Sequence, residues 1–174
     1  MTISMYQASV PAFRQGLTAL SAILDKTAAE CAERKFDPAV LLADRLAPDM
    51  FPFTRQVQLT CDFAKNTVSR LAGREPQKIE DKETTLDDLK ARIARTLEIV
   101  DGIPASEIDG SEDRSIVLSI GPNTMTFTGQ SYLLHFGLPN FYFHATTAYA
   151  ILRHNGLQVG KRDFLGSIPG MSMS

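Results

Sequence analysis

The sequence predicts an all-α fold, an antiparallel four-helix bundle with a small β-hairpin before the last helix. Three observations carry this. Apolar residues recur at alternating steps of three and four through several long segments, which is the seam of an amphipathic helix packed in a bundle. The period changes to two only between Pro104 and Gly129. A chain of 174 residues with 44% hydrophobic content is long enough for one well-buried core and short for two, so one domain over residues 1–174 is expected.

The first seam is Tyr6, Val10, Phe13, Leu17, Leu20 and Leu24. Pro11 falls within it, so the helix is expected to kink there or to begin there, and to end near Arg34-Lys35. Asp37-Pro38 reads as a cap and first-turn proline opening a short helical piece through Leu41, Leu42 and Leu46. After Pro48 and Pro52 a second seam runs Phe53, Val57, Thr60, Ala64, Thr67 or Val68, and Leu71, with Gly73 as its stop. The polar stretch Arg74 to Glu83 is a loop. Thr84 or Thr85 can cap the next helix, whose first turn carries Asp87 and Asp88 at the positive end of its dipole. Its seam is Leu86, Leu89, Ile93, Leu97 and Val100, closed by Gly102 and Pro104.

Ser115–Ile120 and Thr124–Thr128 are β-prone and flank a Gly-Pro-Asn turn, which predicts a hairpin lying against the helices. The last helical region spans about Gln130 to Asn155, with room for a break or a kink at Gly137-Leu138-Pro139 and a left-handed stop at Gly156. From about residue 157 to 174 an irregular tail is expected, partly tucked under Leu157, Val159, Phe164 and Leu165.

Charge narrows the partners. With 18 basic and 20 acidic residues and a net charge of -2, no basic field favours a nucleic acid or an anionic bilayer surface, so neither is expected as a partner. No run reaches the roughly 18 apolar residues that a membrane span needs, and Met1 to Gln7 lacks the basic and apolar pattern of a secretory signal. Cys31 and Cys61 lie thirty residues apart without a Cys-x-x-Cys pair, and read as buried small hydrophobes in a reducing compartment. A cytoplasmic protein is the expectation.

Site chemistry centres on His144. The other histidines, His135 and His154, are nine and ten residues away, too far along one helix to share an ion with it. His154 reads as a C-terminal surface residue. Around His144, Asn140 stands at i−4 and the small Ala148 at i+4, so this face leaves room for something. Gln56 and Asp49, seven residues apart near the second long helix, are the polar residues that would face it across the bundle. Asp49, Gln56, Asn140 and His144 are therefore the candidate metal ligands. One nitrogen and three oxygens, with charge only on Asp49, form a weak set for a transition metal. The other reading is that His144 hydrogen-bonds to Asp49 or Gln56 and fixes a helix pair, because a buried polar group needs a partner. No nucleophile elbow or phosphate loop is present. The aromatic residues Tyr6, Phe141, Tyr142, Phe143 and Tyr149 read as core or dimer contact rather than a cofactor box.

The stretches "LAPDMFPFTRQVQLTCDFAK" (Leu46 to Lys65) and "LPNFYFHATTAYAILRHNGLQVGKRDFLG" (Leu138 to Gly166) resemble the DinB/YfiT-like superfamily of metalloenzymes, and within it a branch known as a domain of unknown function. The resemblance covers nearly the whole chain. It implies an up-down-down-up bundle and frequent homodimers. Metal-binding members use one histidine of the second helix and a His-x-x-x-His pair of the last. His144 matches the later member of that pair, Asn140 stands where the earlier would be, and Gln56 or Asp49 occupies the second-helix position. Two functions follow as expectations. One is a metal-dependent enzyme of hydrolase or thiol-transferase type using zinc, nickel or manganese at this reduced site. The other is a non-catalytic dimeric bundle that binds a small molecule or a protein partner, with the metal site turned into a hydrogen-bonded core network.

Overall fold

A computed structural model describes residues 2–171; the last three residues of the expected tail lie outside this range. Helix α1 spans Met5–Glu33 and opens on a reciprocal cap, in which Ser4 Oγ accepts from the Gln7 amide at 3.3 Å and Gln7 Oε1 accepts from the Ser4 amide at 3.2 Å. Pro11 lies inside α1, so the regular helix starts well before it. A short α2 (Ala39–Leu42) follows, with Asp37 accepting from the Ala39 amide. Then come α3 (Phe53–Leu71), α4 (Leu86–Asp101) and a one-turn α5 (Ala105–Ile108). Thr85 and Asp88 cap α4 reciprocally.

The hairpin forms as expected. Strands β1 (Ser115–Ile120) and β2 (Asn123–Thr128) pair antiparallel from Ser115 opposite Thr128 to Ile120 opposite Asn123, and Gly121 makes the turn at φ +58°. Helix α6 (Gly129–Tyr132) passes through a π-helical turn (Leu133–Gly137) into α7 (Leu138–His154). Of the break or kink read around Pro139, the helix shows no break: a wider turn continues into α7. Proline cannot donate to the carbonyl four residues back, and the looser turn before it accommodates the missing bond. Gly137 is needed there for space, because a Cβ would stand 2.6 Å from Thr67 Oγ1. Gly156 ends α7 with φ +79°.

Contacts along the helices give their directions. Phe13 and Gly16 of α1 meet Phe141 at the start of α7, while Arg34 beyond the end of α1 donates to the Gly156 carbonyl beyond the end of α7, so these two run parallel. Gln56 meets His144 and Thr67 meets Gly137, so α3 runs against α7. Arg14 pairs with Asp101 and Lys90 with Asp25, so α4 runs against α1. The order is up-down-down-up, with α3 and α4 parallel neighbours. Parallel helices need a connection that travels back along their length, and residues 72–85 supply it. Nineteen residues of α3 rise roughly 28 Å, within reach of that extended link.

The link is tied down by buried charge. The Arg92 side chain on α4, 1% exposed, reaches Asp62 on α3 and both Asp81 and Glu83 on the link, each at 2.9 Å. Lys65, also buried, pairs with Asp62 at 3.1 Å, and Gln58 donates to Glu83 at 2.8 Å. Between the four long helices one apolar core runs through Phe13, Leu17, Phe53, Val57, Ile93, Phe141 and Ile151. Phe13 and Phe141 meet edge to face with centroids 5.0 Å apart, a geometry that favours aromatic pairs. Both cysteines are buried, as expected, and burial pushes the Cys61 thiol up to about 12, so it is inert at neutral pH. No helix among the described residues is long and apolar enough to cross a membrane.

The tail contains an element that its sequence does not announce. Helix α8 (Lys161–Leu165) packs on α1, where Lys26 pairs with Asp163 at 3.1 Å and Gln15 donates to the Leu165 carbonyl at 2.8 Å. A five-residue helix has no stability of its own. It exists through these tertiary contacts.

Candidate functional site

The stripe Gln56, Phe63 and Thr67 on α3 recurs at steps of seven and four, the spacing of one helix face. That face meets α7 and the π turn. His144 projects from α7 toward it, because Phe141, Ala145, Ala148 and Leu152 set the buried side of α7 and His144 falls within that stripe. The outcome is one short hydrogen bond across the bundle, 2.8 Å between His144 Nδ1 and Gln56 Oε1.

Its direction follows from the other end of the amide. Gln56 Nε2 donates to the Phe51 carbonyl at 3.0 Å, so Oε1 is the acceptor and Nδ1 must carry the proton. Phe63 stacks on the imidazole at 5.5 Å, tilted by 17°, and Phe143 meets it edge-on at 5.1 Å. Burial first, and the nearby charge of Arg55 second, lower the His144 pKa to about 4. The ring is therefore neutral at physiological pH, with the lone pair on Nε2. His144 is 8% exposed, and Nε2 makes no hydrogen bond among the described residues yet is not one of the sealed, unpartnered atoms. One acceptor thus keeps a trace of solvent exposure.

The other expected site residues do not join this pair. Asn140 is half-buried one turn before His144, and its amide donates to the Phe136 carbonyl at 2.7 Å, which commits it to its own helix. Asp49 is exposed in the turn before α3 and bonds to neither His144 nor Gln56. The seven-residue argument for Asp49 needs helix from 49 to 56. Pro52, extended at ψ 166°, starts α3 only at Phe53, so the shared-face geometry does not apply. Sequence reasoning missed Phe63, although its place seven residues after Gln56 put it on the same face.

The donor set does not fit a transition-metal centre. Among the described residues no three His, Cys, Asp or Glu side chains are grouped so that they could hold a metal ion. The Gln56 oxygen already accepts the histidine proton and is neutral, Asn140 is neutral, and the one anion sits apart from the pair. A single neutral nitrogen with amide oxygens offers little to a divalent ion.

A domain of unknown function, DUF1993, matches residues 5–165 of the chain. The chain belongs to the DUF1993 family. The DUF1993 protein is also similar to the crystal structure of a DinB family member from Shewanella denitrificans, at 40% identity over 97% of this chain and 95% of that chain, with a TM-score of 0.86. At that identity and coverage the DinB-like bundle is the fold of this DUF1993 member as well. Among curated proteins none matches.

Proposed function

We propose that the protein is a non-catalytic bundle that binds a small molecule at His144, with the metal site of its superfamily converted into a hydrogen-bonded pair. The observation that carries this is the His144–Gln56 bond at 2.8 Å, anchored through Gln56 to the Phe51 carbonyl. It leaves Nε2 as one acceptor among aromatic faces, suited to a ligand with a hydroxyl or N–H donor and an apolar body. General-base work is disfavoured, since a base with a pKa near 4 has little driving force to take a proton at neutral pH. The reading includes a homodimer through exposed faces of α1 and α7, where Tyr142 and Phe143 are uncovered.

A second reading retains the metal-dependent enzyme. One feature favours it: an imidazole whose Nδ1–H is held by a carbonyl oxygen, with Nε2 free, is how metal-ligating histidines are oriented. Thermal unfolding separates the two. Zinc, nickel or manganese should leave the melting temperature unchanged, and His144→Ala should lower stability by roughly 1–3 kcal/mol by stranding the Gln56 oxygen. A rise of several degrees with one metal, abolished in His144→Ala, would establish the metal site instead.

A further inference from the structure

The hairpin leaves an edge free. Among the described residues strand β1 pairs with β2 alone, and no loop backbone bonds to residues 115–119. Beside it lies a cavity of about 540 Å³ lined by Ser115 through Ser119, by Phe63 and Phe136, and by Arg70, Arg74 and Arg114. Strand side chains alternate between faces. A cavity that touches five consecutive residues therefore meets the strand at its edge, where unpaired amides and carbonyls lie.

The charge beside this edge is basic. Arg74 is held by Glu107 at 2.5 and 2.6 Å. Arg70 and Arg114 have no carboxylate within ion-pair distance among the described residues; Arg70 donates to the Tyr132 hydroxyl at 3.0 Å, and Arg114 to the Leu71 carbonyl at the end of α3. Each guanidinium keeps further donors. Glu75, exposed, also lines the groove and pairs with neither.

We propose that this groove docks an extended acidic peptide, which adds as a strand to β1 and places a carboxylate on Arg70 and Arg114. Main-chain pairing supplies the affinity of such a mode and alternate side chains its selectivity. Phe63 and Phe136, in edge contact at 5.8 Å, offer an apolar floor for one of those side chains. A small anion alone would use the arginines but leave roughly 17 Å of strand edge unpaired.

The test is a titration of the full-length ¹⁵N-labelled protein with acetyl-Val-Thr-Val-Thr-Glu bearing a free C-terminus. The expected result is saturable shifts at the amides of residues 115–119. Binding should weaken at least about tenfold when alternate peptide nitrogens are methylated, when the carboxylates are replaced by amides, and in Arg70→Gln. The peptide variants leave the protein untouched, so they stand even where Arg70→Gln is unstable. Equal binding by the methylated peptide, full reproduction of the shifts by inorganic phosphate, or no binding at millimolar peptide would each overturn the proposal.

Discussion

His144 enters the fold as a neutral ring, and that has a consequence for stability. In the unfolded chain its pKa returns to the ordinary 6.5, whereas in the bundle burial and Arg55 hold it near 4. Between these values the unfolded state binds the extra proton. The contribution of the neutral ring is therefore full above about pH 6.5, declines as pH falls, and levels off below about 4. At roughly 1.4 kcal/mol per pH unit, the stability advantage of the native protein over His144→Ala should shrink by about 2 kcal/mol between pH 7.5 and pH 5. Urea denaturation of both proteins measures it, and the shared carboxylate titrations cancel in the difference. That His144 pairs with Gln56 or Asp49 was legible because a polar group on a buried helix face needs a partner; which of the two it meets, Gln56, was not. The fate of Asp49 was not legible by the same logic, since two prolines put it outside the helix and periodicity says nothing about a turn.

At the level of elements, the long helices and the hairpin could be read from their periods, with Thr84 or Thr85 marking the start of α4 and Gly156 the end of α7; the Ser4 cap of α1 was not read. Elements held by distant contacts could not be read. Helix α8 depends on Lys26 and Gln15, more than a hundred residues away, and the link 72–85 reads as a solvated loop although it is fastened to Arg92. Arg92 had one visible signal, its place between Leu89, Ile93 and Thr96 in a buried seam, where a charge implies buried partners. Arg92→Leu leaves Asp62, Asp81 and Glu83 without their shared cation, and should cost about 3–5 kcal/mol. The exposed Arg95, paired with Glu98 one turn on, is the control: Arg95→Leu should change stability by about 0.5 kcal/mol or less. Equal losses for the two would mean that the network does not hold the link.

For the whole molecule, the bundle places two uncovered aromatic residues beside the His144–Gln56 pair. Phe51, 55% exposed, supplies the carbonyl that anchors Gln56, and Phe143, 57% exposed, packs on the imidazole edge. Under the proposed dimer Phe143 becomes buried. Sedimentation at micromolar concentration should then give twice the chain mass, and Phe143→Ser should shift the species toward monomer without lowering the helix content. The proposed function rests more narrowly on the state of one ring. The most direct measurement is the ¹H–¹⁵N spectrum of the His144 imidazole in metal-free protein from about pH 8 down to pH 4. The expected spectrum shows the proton on Nδ1 and no protonation until below about pH 5. A titration midpoint near 6.5, or a proton on Nε2, would contradict the buried pair with Gln56.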